Sequence, residues 1–429
     1  KQFKRNMAAM RVVCFLILLT LAPFIRAQQS LTIDSCLLLS RDHYPMTRQL
    51  DIWRRLGQRQ TRQLNTNWLP GITINGQATI QSDVTSVTLP NIPGLPTITP
   101  PNKDQYKFYA EGSQMLYDGG SIHQQKVLSS LQNEAEQWKV EADLFKIKEK
   151  TIQTYFGVLL LQEQINVLAL SSKDLDALYD KTKVAFEAKA SSGYQLYLVE
   201  AEKEKLQQRL IELNAQKLAA LHVLESMIGR EIPANTQLTK PQKIPINNDL
   251  NRPELKILNL SQRIFEVQNK LVKTKSIPRL SAFGQAGYAN PALNFLKNEF
   301  QWYYIGGLRL NWNLSSLYTT GSEKKISLLN KDLASLQEET FIYNINLQQI
   351  QQIQETQKNE ALLRSDQRLL ELRTRIRTAS KLQYDNGTLT LSDYLKDLNA
   401  EESARSNQLI HELSFLQSIY LTNHLHGNQ

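Results

Sequence analysis

Six histidines, His43, His123, His222, His411, His424 and His426, are the side chains of this 429-residue chain best suited to hold a metal or move a proton near neutral pH. Only His424 and His426 lie close together. No carboxylate or thiol stands beside them at ligand spacing, so the pair reads as a frayed chain end rather than a metal site. Phe283-Gly-Gln-Ala-Gly287 has two glycines of a dinucleotide loop but lacks the third glycine and the helix that should follow. There is no Walker A loop, no G-x-S-x-G and no H-E-x-x-H. The acids are interspersed with Lys and Arg at helical spacing, as on a solvated helix face. The sequence thus offers no catalytic, cofactor-binding or metal-ligating residues, and the chain reads as a non-enzyme.

What it offers instead is one order of elements written twice. Trp68-Leu69-Pro70 leads into an alternating stretch from Ile72 to Ser82, in which Ile72, Ile74, Gly76, Ala78 and Ile80 share one face. Thr73, Asn75, Gln77, Thr79 and Gln81 share the other. A Pro-rich loop, Leu89 to Pro101, separates it from a second stretch, Tyr106 to Tyr117. A proline-free helical run with a turn at Gly193 follows. The second half repeats this order: Ile277-Pro278-Arg279-Leu280, alternation to Tyr288, a loop, alternation from Trp302 to Leu314, and a helical run with a turn at Gly387. In the last strand Trp302, Tyr304, Gly306, Leu308, Leu310, Trp312 and Leu314 oppose Gln301, Tyr303, Ile305, Gly307, Arg309, Asn311 and Asn313.

The helices that carry these strands are long. No proline occurs between Pro101 and Pro233 or after Pro291. About 70 residues of helix, at 1.5 Å per residue, reach about 100 Å, which suggests coiled coil or a stacked bundle. The expected helices are 253–275, a hairpin over 121–228 and a hairpin over 322–425, with a further helical segment over 31–66 kinked at Tyr44-Pro45. Strands are expected over 72–82, 106–117, 280–288 and 302–314. Each is near the length a tilted strand needs to cross a membrane, and four strands fall short of the roughly eight of the smallest closed barrels. Several chains contributing four strands each would close one. A soluble sandwich with its apolar face turned inward is the alternative.

Five cations (Lys1, Lys4, Arg5, Arg11 and Arg26) and no acids precede residue 28, so the formal charge of +9 falls to +4 for the remainder. That is a mildly basic surface without a basic stripe, and nucleic acid is not an expected partner. Arg11, the apolar run Val12 to Phe24 and the polar Gln28-Gln29-Ser30 read as a secretory signal over 1–27, with a retained amino-terminal anchor as the alternative. Cys14 lies inside that segment, which leaves Cys36 as the single thiol of the exported part. The repeats then occupy 28–250 and 251–429.

Several short motifs in this order resemble the TolC-like family of trimeric outer-membrane efflux channels over about residues 30–427. They are Leu69-Pro70, Leu116-Tyr117-Asp118-Gly119-Gly120, Asn251-Arg252-Pro253-Glu254-Leu255, Pro278-Arg279-Leu280 and Tyr384-Asp-Asn-Gly-Thr-Leu-Thr-Leu-Ser-Asp393. The resemblance implies a mainly α fold with a small β part. Four strands per chain would contribute to a 12-stranded trimeric β-barrel, and long coiled-coil helices would form a periplasmic tunnel. It also implies a location in the bacterial outer membrane with a helical portion in the periplasm. The implied partners are two further copies (a homotrimer), outer-membrane lipid, a periplasmic adaptor (membrane fusion) protein and an inner-membrane transporter. The implied function is a passive exit duct for an efflux pump or a type I secretion system. A periplasmic coiled-coil scaffold without channel activity is the alternative; such adaptors carry one helical hairpin, whereas this chain carries two.

The resemblance also assigns candidate sites. Asp393, Lys396 and Asp397 follow the second turn, where the family can narrow its periplasmic entrance. Three Asp393 carboxylates near one axis would repel one another and attract a neighbouring lysine such as Lys396; an exposed helix face without a gate is the alternative. Gly193, Tyr194, Gly387, Thr388 and Leu389 mark the two turns, the candidate adaptor contacts. There glycine could supply a positive φ or simply end a helix. The first turn looks about two residues short, which puts Tyr197 near the expected acid. Trp68, Trp302 and Trp312 are candidate membrane-interface aromatics, with packing between strands as the alternative.

Overall fold

A computed structural model of the protein describes residues 31–86, 100–233 and 236–428. The segment read as a secretory signal, Cys14 and nearly all of the Pro-rich loop lie outside the described residues. Among the described residues the elements run α1 (Ile33–His43), α2 (Thr47–Thr66), β1 (Gly71–Ile80), β2 (Asp104–Tyr117), α3 (Ser121–Glu187), α4 (Gly193–Ile228), α5 (Pro253–Thr274), β3 (Arg279–Asn290), β4 (Gln301–Asn311), α6 (Ser316–Asp385) and α7 (Leu391–His426). The helix–strand–strand–helix–helix order therefore occurs twice. Two compact units result, and each draws on both repeats.

In one unit, built from 31–44, 147–246 and 352–424, α1 is started by Thr32, whose hydroxyl accepts from the Ser35 N–H. Its inward face, Ile33, Cys36 and Leu37, is buried with Ile152, Tyr155 and Leu159 of α3, Leu221, Leu224 and Ile228 of α4, and Leu413, Leu416 and Tyr420 of α7. Each such side chain contributes about 1.5–3 kcal/mol of burial free energy. The Tyr155 hydroxyl donates to the carbonyls of Thr239 (2.6 Å) and Leu31 (2.8 Å), and so ties the chain between the repeats to the start of the first. A second cluster sits at the turns, where Leu175, Val199, Leu206, Leu391, Tyr394, Leu395 and Leu398 are buried together.

Cys36 has no exposed surface, and burial pushes its thiol up to about 12. A thiol protonated and sealed in this way is a poor nucleophile. The expected result is that a maleimide leaves Cys36 unlabelled in the native protein and labels it fully in guanidinium. Rapid native labelling would mean that α1 opens readily from the core.

The other unit, built from 45–146, 247–351 and 425–428 of the described chain, carries the sheet. Leu131 and Ala135 of α3 pack against Leu260 and Val267 of α5. Lys331 pairs with Glu266 at 2.7 Å and Lys275 with Glu323 at 2.7 Å, and these ion pairs join α6 to α5 and its C-terminal end. The Asn251-to-Leu255 segment has a clear local logic. Pro253 opens α5, where its missing N–H costs nothing. Arg252 is held against Glu254 at 2.5 Å and lies 4.5 Å over the Phe145 ring.

The strand-to-helix junction is equally specific. The Asp118 carboxylate is buried and accepts from the N–H groups of Gly120 (2.9 Å) and Ile122 (2.5 Å), closing the first turn of α3. Gly119 and Gly120 have φ of +71° and +83°. A Cβ on Gly119 would lie 2.9 Å from Ile277.

Candidate channel-forming surfaces

The four strands form one antiparallel sheet in the order β1-β2-β3-β4, so β2 and β3, from different repeats, pair directly. Register decides what each face carries. Ile74, Ala110, Ala286 and Tyr304 lie in one row across the sheet, and Gly76, Phe108, Tyr288 and Trp302 in the next. Ile72, Gly112, Gly284 and Gly306 form the row on the other side. All belong to a single apolar face. The opposite face has Thr73, Glu111, Gln285 and Ile305 in one row and Gln77, Lys107, Ala289 and Gln301 in another. Small residues hold the middle of this face on β2 and β3, namely Ala110 and Gly112 on the first and Ala282, Gly284 and Ala286 on the second.

The apolar face is uncovered: Trp302 is 81 % exposed, and Leu308 and Leu310 are each 67 % exposed. A contiguous apolar face of this kind is uncommon on a soluble monomer. The sandwich alternative fails here, because nothing among the described residues covers that face.

At the loop end the Tyr288 ring lies 5.3 Å from both Phe300 and Trp302, and Phe300 lies 6.3 Å from Tyr106. At the other end Trp312 follows β4, and its indole N–H donates to the Ser276 carbonyl at 3.0 Å. Ten residues separate Trp302 from Trp312. At about 3.3 Å each and a tilt near 40°, they span about 25 Å, the height of a bilayer's apolar band in outer-membrane barrels. Trp68 is exposed, and its carbonyl accepts from the Gln114 amide.

β1 and β4 each have one neighbour, which leaves two open edges. α6 carries a second unpartnered surface. Ile326, Leu329, Leu333, Leu336, Tyr343, Leu347 and Ile350 recur at three- and four-residue steps, with one full seven-residue step from Leu336 to Tyr343, and are all exposed, the spacing of a coiled-coil seam. Sequence reading saw the helix but could not tell which of its apolar positions lacked a partner.

The turns differ from expectation. α3 ends in a left-handed residue, but it is Lys189 (φ 59°); Gly193 has no positive φ and is the first residue of α4. The Ala190 N–H bonds the Ala185 carbonyl, as the Thr388 N–H bonds that of Gln383. Both turns thus close by the same six-to-one pattern, with Lys189 in the place of Gly387 (φ 73°). The turns are equal in length, so the first is not short, and Gln195 rather than Tyr197 stands in the register of Asp393. Tyr194 and Thr388 are exposed, whereas Leu389 packs against the buried cluster at the turns.

Asp393 is a capping residue. Its N–H donates to Thr390 Oγ1 at 3.1 Å, and the Thr390 hydroxyl donates to its carboxylate at 2.6 Å. Asp397 accepts from the Ser380 hydroxyl across to α6. Lys396 is exposed and makes no ion pair with either acid, because it faces water rather than the capped turn.

The denser electrostatics lies elsewhere. Arg377 of α6 reaches Asp174 of α3 (2.6 Å) and Glu401 of α7 (3.1 Å), and Arg405 also holds Glu401 at 2.9 Å. Burial alone would raise the Glu401 carboxyl. The Thr374 hydroxyl and the two guanidiniums outweigh it and leave the carboxyl below the usual range. Nearer the turn, Lys181 pairs with Asp385 at 2.5 Å, and Tyr384 stacks on Tyr394 at 5.5 Å. No sequence spacing could have joined residues some 200 positions apart. The histidine pair also corrects the reading of a frayed end, since His424 and His426 are buried within α7. His411 instead bonds Asp366.

No protein-family model and no curated protein sequence matches this chain. Solved structures do match. The Campylobacter jejuni CmeC outer membrane channel shares 17% identity over 92% of this chain and 85% of its own, with a TM-score of 0.65. CusC, described by its transmembrane channel formation, shares 14% identity over 92% and 91%, with a TM-score of 0.68. The outer membrane protein VceC of Vibrio cholerae shares 11% identity over 92% and 96%, with a TM-score of 0.67. The chain therefore has the TolC-like outer-membrane channel fold, at identities too low to show more than the fold.

Proposed function

We propose that the protein is an outer-membrane exit duct, working as a homotrimer whose three sheets close a 12-stranded barrel. The observation that carries this reading is the sheet itself. Four strands with an uncovered apolar face and two open edges are incomplete in water and in lipid alike, because unpaired edges are costly in a bilayer. Pairing β4 of one copy with β1 of the next removes the edges, places the apolar face in lipid and leaves the polar face around water. The α6 seam supports the same assembly. The helical parts form a tunnel wall in the periplasm, and the turns around Lys189 and Gly387 meet a periplasmic adaptor coupled to an inner-membrane transporter. Cargo, whether small molecules or a secreted polypeptide, passes without chemical change, and no enzyme chemistry is involved.

The test is the mass of the protein extracted from outer-membrane fractions, with detergent subtracted, together with its conductance in planar bilayers. Three chains per particle and stable channels are expected. A monomer released without detergent would sink the duct reading.

A further inference from the structure

On that reading, the polar sheet face is the pore wall, and its charges are unequal. Four charged residues share its register: Lys107 and Glu111 on β2, Arg279 on β3 and Arg309 on β4. Glu111 and Arg309 neutralise each other at 3.1 Å, with the Arg309 guanidinium also 4.5 Å over the Phe283 ring. Lys107 and Arg279 are exposed at opposite ends of the face, and neither has an acidic partner among the described residues. Of the acids near the loop end, Asp104 pairs with Ile80 and so belongs to the apolar side of the register, and Glu299, which accepts from the Gln301 amide at 2.6 Å, lies beside its own cation, Lys297, at 4.0 Å.

We infer that the barrel wall selects for anions, and that Lys107 and Arg279 determine this preference. Three copies place six uncompensated cations around one water column. At low ionic strength a wall charge is felt across about 30 Å, at 1 M salt across only about 3 Å. A cationic lining raises the local concentration of anions and so favours anionic cargo over cationic cargo of equal size. The preference belongs to the wall and is independent of Asp393 in the other unit.

Reversal potentials across a KCl gradient test this, with the dilute side near about 10 mM, where screening is weak. The wild-type channel is expected to pass chloride over potassium, and the preference should fade as both sides approach 1 M. Lys107→Gln with Arg279→Gln should lower the chloride-to-potassium permeability ratio by roughly twofold or more. Glu111→Gln should raise it, because it frees Arg309. Asp393→Asn should leave the shift caused by the wall pair unchanged. Equal reversal potentials for wild type and the Lys107/Arg279 variant would overturn the inference while leaving the duct intact. Absence of any conductance would overturn the duct and the inference with it.

Discussion

Leu308→Arg is expected to keep the protein out of the membrane, whereas Ile305→Arg, three residues earlier on the same strand, is expected to insert and assemble. Both positions lie near the middle of β4 between Trp302 and Trp312, so depth is matched and only the face differs. Leu308 stands in a row with Ala282 on the apolar face, and Ile305 in a row with Gln285 and Glu111 on the polar one. An arginine on the lipid face near the bilayer midplane costs about 2–4 kcal/mol, and three copies multiply it to roughly 6–12 kcal/mol per barrel. On the lumen side the same arginine is hydrated and lies near Glu111. The readout is the amount of trimer that resists urea washing of outer membranes, compared by immunoblot. Wild-type levels of Leu308→Arg trimer, or a larger loss for Ile305→Arg, would contradict the assignment of faces. A soluble scaffold would respond in the opposite way, since the arginine would improve its solubility.

Replacing Gly119 with valine should be the most damaging single change at the junction between β2 and α3. The residue must hold φ +71°, and the new Cβ would lie 2.9 Å from Ile277. Left-handed backbone costs an L-residue about 1–2 kcal/mol. Forcing a side chain into packed space costs about 1–3 kcal/mol more. Gly120→Ala is the matched control. Its φ is +83° but nothing lies within 4 Å, so only the backbone part of the cost applies. Thermal unfolding of purified protein should therefore rank wild type above Gly120→Ala and Gly120→Ala above Gly119→Val, with little folded trimer recovered for the last. Equal losses for the two variants would mean that backbone conformation alone, and not contact with Ile277, fixes the junction. Asp118 adds to the constraint, because its carboxylate bonds the N–H groups of both Gly120 and Ile122 and so ties the glycine pair to the first turn of α3.

Much of the architecture was legible because its causes are local. A period of two in Gly71–Ile80 and Gln301–Asn311, and long proline-free runs that became helices of 67 and 70 residues, follow from side-chain alternation and helix propensity within a short window. The kink at Tyr44-Pro45 and the start of α5 at Pro253 were visible for the same reason. The turns were less legible. A glycine is an easy signal for positive φ, yet at the first turn Lys189 takes that conformation, because the closing hydrogen bonds of the turn fix the position of the left-handed residue.

The sequence by itself determined which segments are strand and which are helix, that the order occurs twice, and that one strand face is apolar. Only the tertiary structure decided that β2 and β3 pair, that four separate apolar stripes align into one face, and that Asp174, Arg377 and Glu401 meet. Only the fold, too, buries His424 and His426 and leaves the α6 seam bare. The division has one physical reason. Propensity and periodicity act between neighbours in the chain. Register, ion pairing and burial depend on which distant surface arrives opposite, and packing of the whole decides that.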